Sequence, residues 1–485
     1  MTTTSTDGAA STESPSIADL GVAAAAAAIR QGEITATEYS TALLASAREH
    51  ADLNSFITID DSAVLDAARE ADRARAAGSN APLLGVPFGI KDSYATRGLR
   101  TTLGVKTLDT FVPRHDAEIV AVVKSAGGIV FGKNNLVEMS WGLTGDNSGY
   151  GQVKNAADRQ RVSGGSSSGS AVSVAAGIVP ASFGGDTVGS VRVPASLNGV
   201  VGFKPTTGRW PRGGVAPVSH VLDTTGLLAR SVEDCILIDQ VITSGPIESQ
   251  PVRADLEGIT FAYAPDHYLG LIDPDINAHF ADAIRHLSDA GAEVREVDLG
   301  PDFSELAGRL TWNIFFRETR QAIIDFLNQT GFPVTFDEIY HDLKPQLREA
   351  WSFLVVPSGD GYLPDAAFDE ALWVDRPALQ SRFQTIFTTT GVDALLLPTT
   401  PALAPLITAQ GKFTVAGQEV DDLFLARNTI PASGAGLPGI TLPLGTSESG
   451  LPFGIELDGE RGSDPRLLNT ARRVESILTS VRAAV

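Results

Sequence analysis

The chain is poor in the residues that build disulfide frameworks and metal clusters. One cysteine, Cys235, occurs in 485 residues, which excludes an internal disulfide and a cysteine metal cluster. Its surroundings, Glu233-Asp234-Cys235-Ile236-Leu237-Ile238, read as a helix face carrying a buried, inert thiol rather than a nucleophile. The seven histidines are scattered, with no His-x-x-x-His pair, so no metal site is expected. Basic residues are also few: 37 Lys and Arg stand against 58 Asp and Glu, a net charge of −21. Nucleic acid and anionic membrane are therefore poor partners, and a solvated acidic surface is the plain reading of the charge. No apolar run approaches the ~18 residues of a membrane span. Residues 1–16 carry no basic side chain, the first being Arg30. Such a start does not read as a secretory leader, and the cytoplasm is the default location.

What is present is a globular composition, 43% hydrophobic and 20% charged, enough for a sizeable core. Residues 1–15, rich in Thr, Ser and Ala, read as a disordered tail. Residues 16–485 show no internal repeat and no linker and read as one domain. Periodicity predicts helices over 17–31, 36–51, 62–77, 116–126, 231–243, 275–290, 337–353 and 463–481. Short apolar segments predict strands over 83–90, 129–131, 259–264, 293–298, 394–398, 439–444 and 452–457. Helices alternating with short strands argue an α/β layered fold. Residues 303–390, helical and aromatic, read as a variable flap over a site.

The distinctive stretch is Ser163-Gly164-Gly165-Ser166-Ser167-Ser168-Gly169-Ser170, followed by small apolar residues to Val179 and then by Gly184-Gly185-Asp186-Thr187-Val188-Gly189-Ser190. Glycines and serines at this density offer exposed backbone N–H groups and hydroxyls at close range, which suits an oxyanion and a hydroxyl nucleophile. A phosphate-binding loop would need Gly-Lys-Ser/Thr, which is missing. A dinucleotide loop would need a strand before the glycines, where the polar Asp158-Arg159-Gln160-Arg161 stands. Gly165-Ser166-Ser167-Ser168-Gly169 matches the letters of a nucleophile elbow centred on Ser167, with His220, His267, His279, His286 and His341 downstream, but the same polar approach argues against it. A third chemistry is a serine activated by lysine. Lys91 closes the apolar segment Pro87-Phe88-Gly89-Ile90; an ammonium desolvated there would lose basicity and could act as a base. Spacing alone equally allows Lys91 to reach solvent or to pair with Asp92.

Together, Gly85-Val86-Pro87-Phe88-Gly89-Ile90-Lys91-Asp92, Phe131-Gly132-Lys133-Asn134-Asn135-Leu136-Val137-Glu138-Met139, the glycine-serine loop, the run from Asp186 to Pro194 and Gly199-Val200-Val201-Gly202-Phe203-Lys204-Pro205-Thr206 resemble the amidase signature family. The resemblance runs from about Ile17 to Leu478. It implies a layered α/β/α fold with a large mixed central sheet covered by helices, and C–N bond hydrolysis through a Ser–cis-Ser–Lys triad without cofactor or metal. By motif position the nucleophile falls on Ser190, the bridging serine after a cis peptide on Ser166, and the base on Lys91. The oxyanion hole falls on the backbone N–H groups of Thr187, Val188, Gly189 and Ser190, and Asp186 with Arg192 falls where a supporting ion pair is expected. One departure is Val188, where the family usually has glycine; valine does not readily adopt positive φ.

Within the family, Gly208-Arg209-Trp210-Pro211, Pro217-Val218-Ser219-His220, Asp223-Thr224 and the tail Gly434-Ala435-Gly436-Leu437-Pro438-Gly439 with Gly454-Ile455-Glu456-Leu457-Asp458-Gly459 resemble segments of indoleacetamide and mandelamide hydrolases. That implies an aryl or arylacetic amide as the small-molecule substrate, with an aryl carbamate, anilide or ester as alternatives. Met139, Ser140 and Trp141 fall where relatives line the acyl pocket, and Phe316 is a further wall candidate with Trp312 and Phe315, each alternatively plain core. The family also contains amidotransferase subunits that act on charged tRNA, an alternative of a different class.

Overall fold

Short segments, most of them buried on both faces, build a mixed sheet whose strand ends carry the site. The computed structural model describes residues 16–246, 253 and 255–484; the tail expected at 1–15 lies outside them. The described strands are β1 Phe56–Ile59, β2 Pro87–Lys91, β3 Ile129–Asn134, β4 Ala181–Asp186, β5 Val201–Lys204, β6 Thr224–Ala229, β7 Thr260–Tyr263, β8 Glu293–Glu296, β9 Ala394–Pro398, β10 Lys412–Val415, β11 Gln418–Asp421, β12 Gly439–Thr446 and β13 Pro452–Asp458. Eleven form one sheet in the order β1-β3-β2-β4-β6-β5-β12-β13-β9-β7-β8, and β10 and β11 form a separate hairpin. β2 runs parallel to β3 and β4, and β7 parallel to β8 and β9. The strands between them pair antiparallel. The architecture is α/β, a large mixed sheet with helices packed against it.

The helix Ser168–Ala175 shows how composition places an element. Its side chains are small, and Ser168 to Val174 are all buried, as expected of a helix with no polar face. Gly169 sits against backbone: a Cβ there would lie 2.1 Å from the Ser55 carbonyl oxygen. The helix packs on β2 and β4, so the loop before it lies over their C-terminal ends. Ligands of open α/β sheets commonly bind at such ends.

The long helix Phe303–Thr330 belongs to a second hydrophobic cluster, with Leu379, Phe383 and Leu425, which reaches Val188 and Val193 beside the site. The helix expected over 337–353 is two helices, Phe336–Asp342 and Pro345–Leu354, because Pro345 starts a new first turn. The first predicted helix is likewise split: a short turn Ile17–Asp19 precedes Val22–Gln31, whose open N-terminus donates Ala23 N–H to Asp234 at 2.9 Å. The strand expected over 83–90 begins only at Pro87, since Gly85 turns at φ +75°.

Candidate active site

Three segments meet at one edge of the sheet. Lys91 is the last residue of β2, Asp186 the last of the parallel neighbour β4, and the loop 163–167 crosses between them. Lys91 is 1% exposed, and its amine and the Ser166 hydroxyl are hydrogen-bonded at 2.7 Å. Burial pushes the Lys91 amine down to about 7, while the carboxylates of Asp223 and Asp186 pull the other way. The readings of Lys91 as solvent-reaching or paired to Asp92 do not describe this geometry. Asp92 pairs instead with buried Lys133 at 3.2 Å. The Gly165–Ser166 peptide is cis. Ser167 N–H donates to the Ser190 carbonyl at 3.2 Å, which joins the two loops.

The loop after β4 is wound around Asp186. Its carboxylate accepts Gly189 N–H at 2.8 Å and Val191 N–H at 3.1 Å, and it is gripped by Arg192 through two contacts of 3.0 Å. Arg192 also donates to Glu456 at 2.6 Å and to Ser433 at 2.7 Å. Burial alone would raise the Asp186 carboxyl; the charge and hydrogen bonds of Arg192 outweigh it and hold the group below its ordinary value. The left-handed angle of the loop falls on Gly189, φ +135°, where a Cβ would lie 2.2 Å from Thr429 Oγ1. Val188 has no positive φ, so the departure at that position requires no strained backbone. The N–H groups of Thr187, Val188 and Ser190 have no acceptor among the described residues. That of Gly189 does, so one of the four expected oxyanion donors is already engaged by Asp186.

Two cavities flank this loop. One, of about 240 Å³, is lined by Lys91, Thr187, Arg212, His220 and Asp223. The other, of about 530 Å³, is lined by Val188, Ser190, Trp141, Trp312, Phe315 and Phe316 among others. Ser140 borders both. Trp312, Phe315 and Phe316 fall at helical spacing on Phe303–Thr330 and so share a face; Trp312 and Phe316 stack at 5.4 Å. Trp141 packs 5.3 Å from Phe315 and 5.7 Å from Phe316, and its Nε1 donates to Thr319 at 3.3 Å.

The family model for Amidase matches residues 38–468. The chain belongs to the Amidase family. It is 36% identical to the mandelamide hydrolase of Pseudomonas putida over 478 residues, 95% of this chain and 92% of that protein. It is 32% identical to an indoleacetamide hydrolase of Allorhizobium ampelinum, over 93% of this chain and 96% of that one. The A-type subunit of a glutamyl-tRNA(Gln) amidotransferase from a Roseiflexus species is 35% identical, over 91% of this chain and 93% of that protein. Among solved structures, an amidase superposes with a TM-score of 0.83 at 30% identity, covering 94% of this chain and 99% of that one. This chain is therefore an amidase, a hydrolase of C–N bonds.

In this amidase the expected pocket residues do not all share a wall. Ser140, Trp141 and Phe316 line the aromatic cavity. Met139 is not among its lining residues: it is buried with Leu103, Val105 and Phe326 in a cluster against which Trp141 also packs, on left-handed backbone at φ 50° followed by Ser140 at φ 60°. Ser167, the elbow candidate, exchanges hydrogen bonds with the Gly185 backbone at 3.1 Å, and no histidine is bonded to a serine of the loop among the described residues. Cys235 is buried, and burial raises its thiol well above the ordinary value. No group of three or more His, Cys, Asp or Glu could hold a metal ion among the described residues.

Sequence reasoning missed Asp223. Its Oδ1 accepts the Thr187 hydroxyl at 2.7 Å, and its Oδ2 accepts Val218 N–H at 2.8 Å and Ser219 N–H at 3.1 Å. Asp223-Thr224 stands out in the sequence only as part of a resemblance and carries no role there, because its partner Thr187 follows a different strand end. Chemically, the chain offers a buried, weakly basic amine bonded to one hydroxyl, a second hydroxyl on the loop joined to it, and N–H groups without an acceptor among the described residues.

Proposed function

We propose that this amidase cleaves small aryl or arylacetic amides by acyl transfer, with Lys91 as base, Ser166 as proton relay and Ser190 as nucleophile. The observation that carries this reading is the 2.7 Å contact of buried Lys91 with Ser166, beside an aromatic cavity that Ser190 borders. Neutral Lys91 takes the Ser166 proton, Ser166 takes that of Ser190, and Ser190 Oγ attacks the amide carbon. The oxyanion is received by the N–H groups of Thr187, Val188 and Ser190, each worth about 3 kcal/mol in such a site. As the C–N bond breaks, the proton returns through Ser166 to the leaving nitrogen. Ammonia or an amine departs and the acyl group stays on Ser190. Water then follows the same proton route, attacks the acyl carbon, and releases the carboxylate.

The aromatic walls support an aryl substrate, as does the similarity to mandelamide hydrolase. An aryl carbamate or an anilide presents the same carbonyl and leaving nitrogen, and the proton relay serves it equally. Turnover of an arylacetamide, an anilide and an aryl carbamate separates these substrates. Ser190→Ala abolishes turnover of each; a Lys91→Ala enzyme with near wild-type activity refutes the relay.

Similarity to the glutamyl-tRNA(Gln) amidotransferase protein favours a second reading, a component working on charged tRNA within a complex. The acidic balance of the chain, −21, opposes it. Hydrolysis of a simple amide by the purified chain, without tRNA or partner, decides for the first reading. No described helix is long and apolar enough to cross a membrane, and we place the enzyme in the cytoplasm.

A further inference from the structure

Besides its rings, the aromatic cavity is lined by charged side chains that the relay does not use. There Lys344 and Asp146 pair at 2.7 Å and neutralise one another. Asp422, the first residue of the short helix Asp422–Ala426, lines the same cavity and forms no ion pair among the described residues. Burial, with exposed Asp421 beside it, pushes its carboxyl up to about 6 against the weaker pull of Lys344, so above neutral pH it is a carboxylate short of counter-charge. Asp422 therefore presents a carboxylate lacking counter-charge to a cavity on whose wall Trp141, Trp312, Phe315 and Phe316 supply the rings. A neutral aromatic substrate packs on the rings and leaves the charge of half-buried Asp422 uncompensated while covering it from water. A ring carrying an ammonium group compensates that charge, and the ring faces themselves attract a cation.

We propose that Asp422 is a specificity-determining residue, and that the preferred substrates are aromatic amides or carbamates bearing an amine at the end of the ring remote from the scissile bond. This rests on the aryl reading of the same cavity. Two matched probes test it at pH 8, where Asp422 is ionised: 4-(aminomethyl)phenylacetamide, which is cationic, and 4-methylphenylacetamide, its neutral counterpart. Binding of both to the Ser190→Ala enzyme is measured by calorimetry, and kcat/KM for both is measured with unmodified Ser190. The expected result is tighter binding of the amine, by roughly ten-fold or more, as for a hydrogen bond to a charged group. That ratio collapses in Asp422→Asn and returns in part in Asp422→Glu. An amine-to-methyl ratio near one, or the same ratio in Asp422→Asn as in wild type, overturns the proposal. Preferential binding of the amine without turnover of either probe leaves Asp422 as the selector and refutes the aryl amide reading. Turnover of both probes without preference does the reverse.

Discussion

The Thr187 hydroxyl donates to Asp223 Oδ1 at 2.7 Å, and the same carboxylate is the foremost charge favouring the protonated form of Lys91. One side chain thus acts on both halves of the proposed machinery, by a hydrogen bond on the oxyanion loop and by its charge on the base. Asp223 is fully buried, and burial raises its own carboxyl, against which the bonds from Thr187, Ser219 and Val218 act. Asp223→Asn keeps an acceptor for Thr187 and removes the charge. Lys91 then holds its proton less tightly, so it becomes neutral at lower pH, and the acid limb of the kcat/KM profile moves to lower pH. Asp223→Ala also releases Thr187, and kcat falls further, toward the roughly 10²–10³-fold cost of a lost oxyanion donor. A pH–rate profile of Asp223→Asn that overlays the wild type would show that this carboxylate does not act on Lys91.

Lys91 sets activity against stability. Its ordinary value is 10.5 and its folded value about 7, so the unfolded chain binds this proton more tightly than the folded one. The cost is complete below pH 7, shrinks as pH rises from 7 to 10.5, and vanishes above. At ~1.4 kcal/mol for each ten-fold loss of proton affinity, it amounts to several kcal/mol at neutral pH. Lys91→Met should therefore be inactive yet melt at higher temperature than wild type at pH 7, with the gap closing toward pH 10. Calorimetric scans of both proteins across that range check the sign. A Met variant that is less stable at pH 7 contradicts the burial account.

The parts of this fold that are legible in the sequence are those whose own pattern carries them. β9 is legible at its observed bounds because Ala-Leu-Leu-Leu-Pro is apolar and closed by proline. The helix Pro274–Asp289 lies close to its expected bounds, having a capping aspartate and an apolar stripe. β4 is not legible, because Ala-Ser-Phe-Gly-Gly-Asp has the composition of a loop. It is a strand only because β2 and β6 pair with it on either side, a tertiary effect that outweighs propensity. The site divides in the same way. Lys91, Ser166 and Ser190 stand in contiguous motifs. Asp223 and Asp422 are single carboxylates brought in from elsewhere, and Met139, on a left-handed backbone that its motif does not announce, lies in a buried cluster and not on the cavity wall.

Arg192 tests the frame of the proposed oxyanion loop. Its guanidinium is fully buried between Asp186 and Glu456, and Asp186 in turn holds Gly189 and Val191. Arg192→Met leaves two carboxylates buried without their cation, a loss of about 3–5 kcal/mol for a broken buried pair. Arg192→Lys recovers little, since an ammonium cannot make the forked contacts. Urea midpoints at constant m-value measure the loss. A Met variant within ~1 kcal/mol of wild type would mean that Asp186 holds the loop unaided.

Trp141 separates wall from core. Its ring borders the cavity and its Nε1 is tied to Thr319 at 3.3 Å, while it also packs against Phe315, Phe316 and Trp351. Were it only core, Trp141→Ala would lower stability, by up to ~3–5 kcal/mol for a large aromatic, and would slow every substrate alike. As a wall it acts selectively: KM rises for phenylacetamide and much less for propionamide, because only the aryl group loses ring contact. Trp141→Phe retains a ring and most of the packing but drops the bond to Thr319, and its aryl preference should stay near wild type. Measuring kcat and KM for the two amides in both variants, beside their urea midpoints, distinguishes the cases. Equal KM changes for aryl and alkyl amides in Trp141→Ala would move this tryptophan from the substrate wall to the core and, with it, the argument that the aromatic cavity selects the substrate.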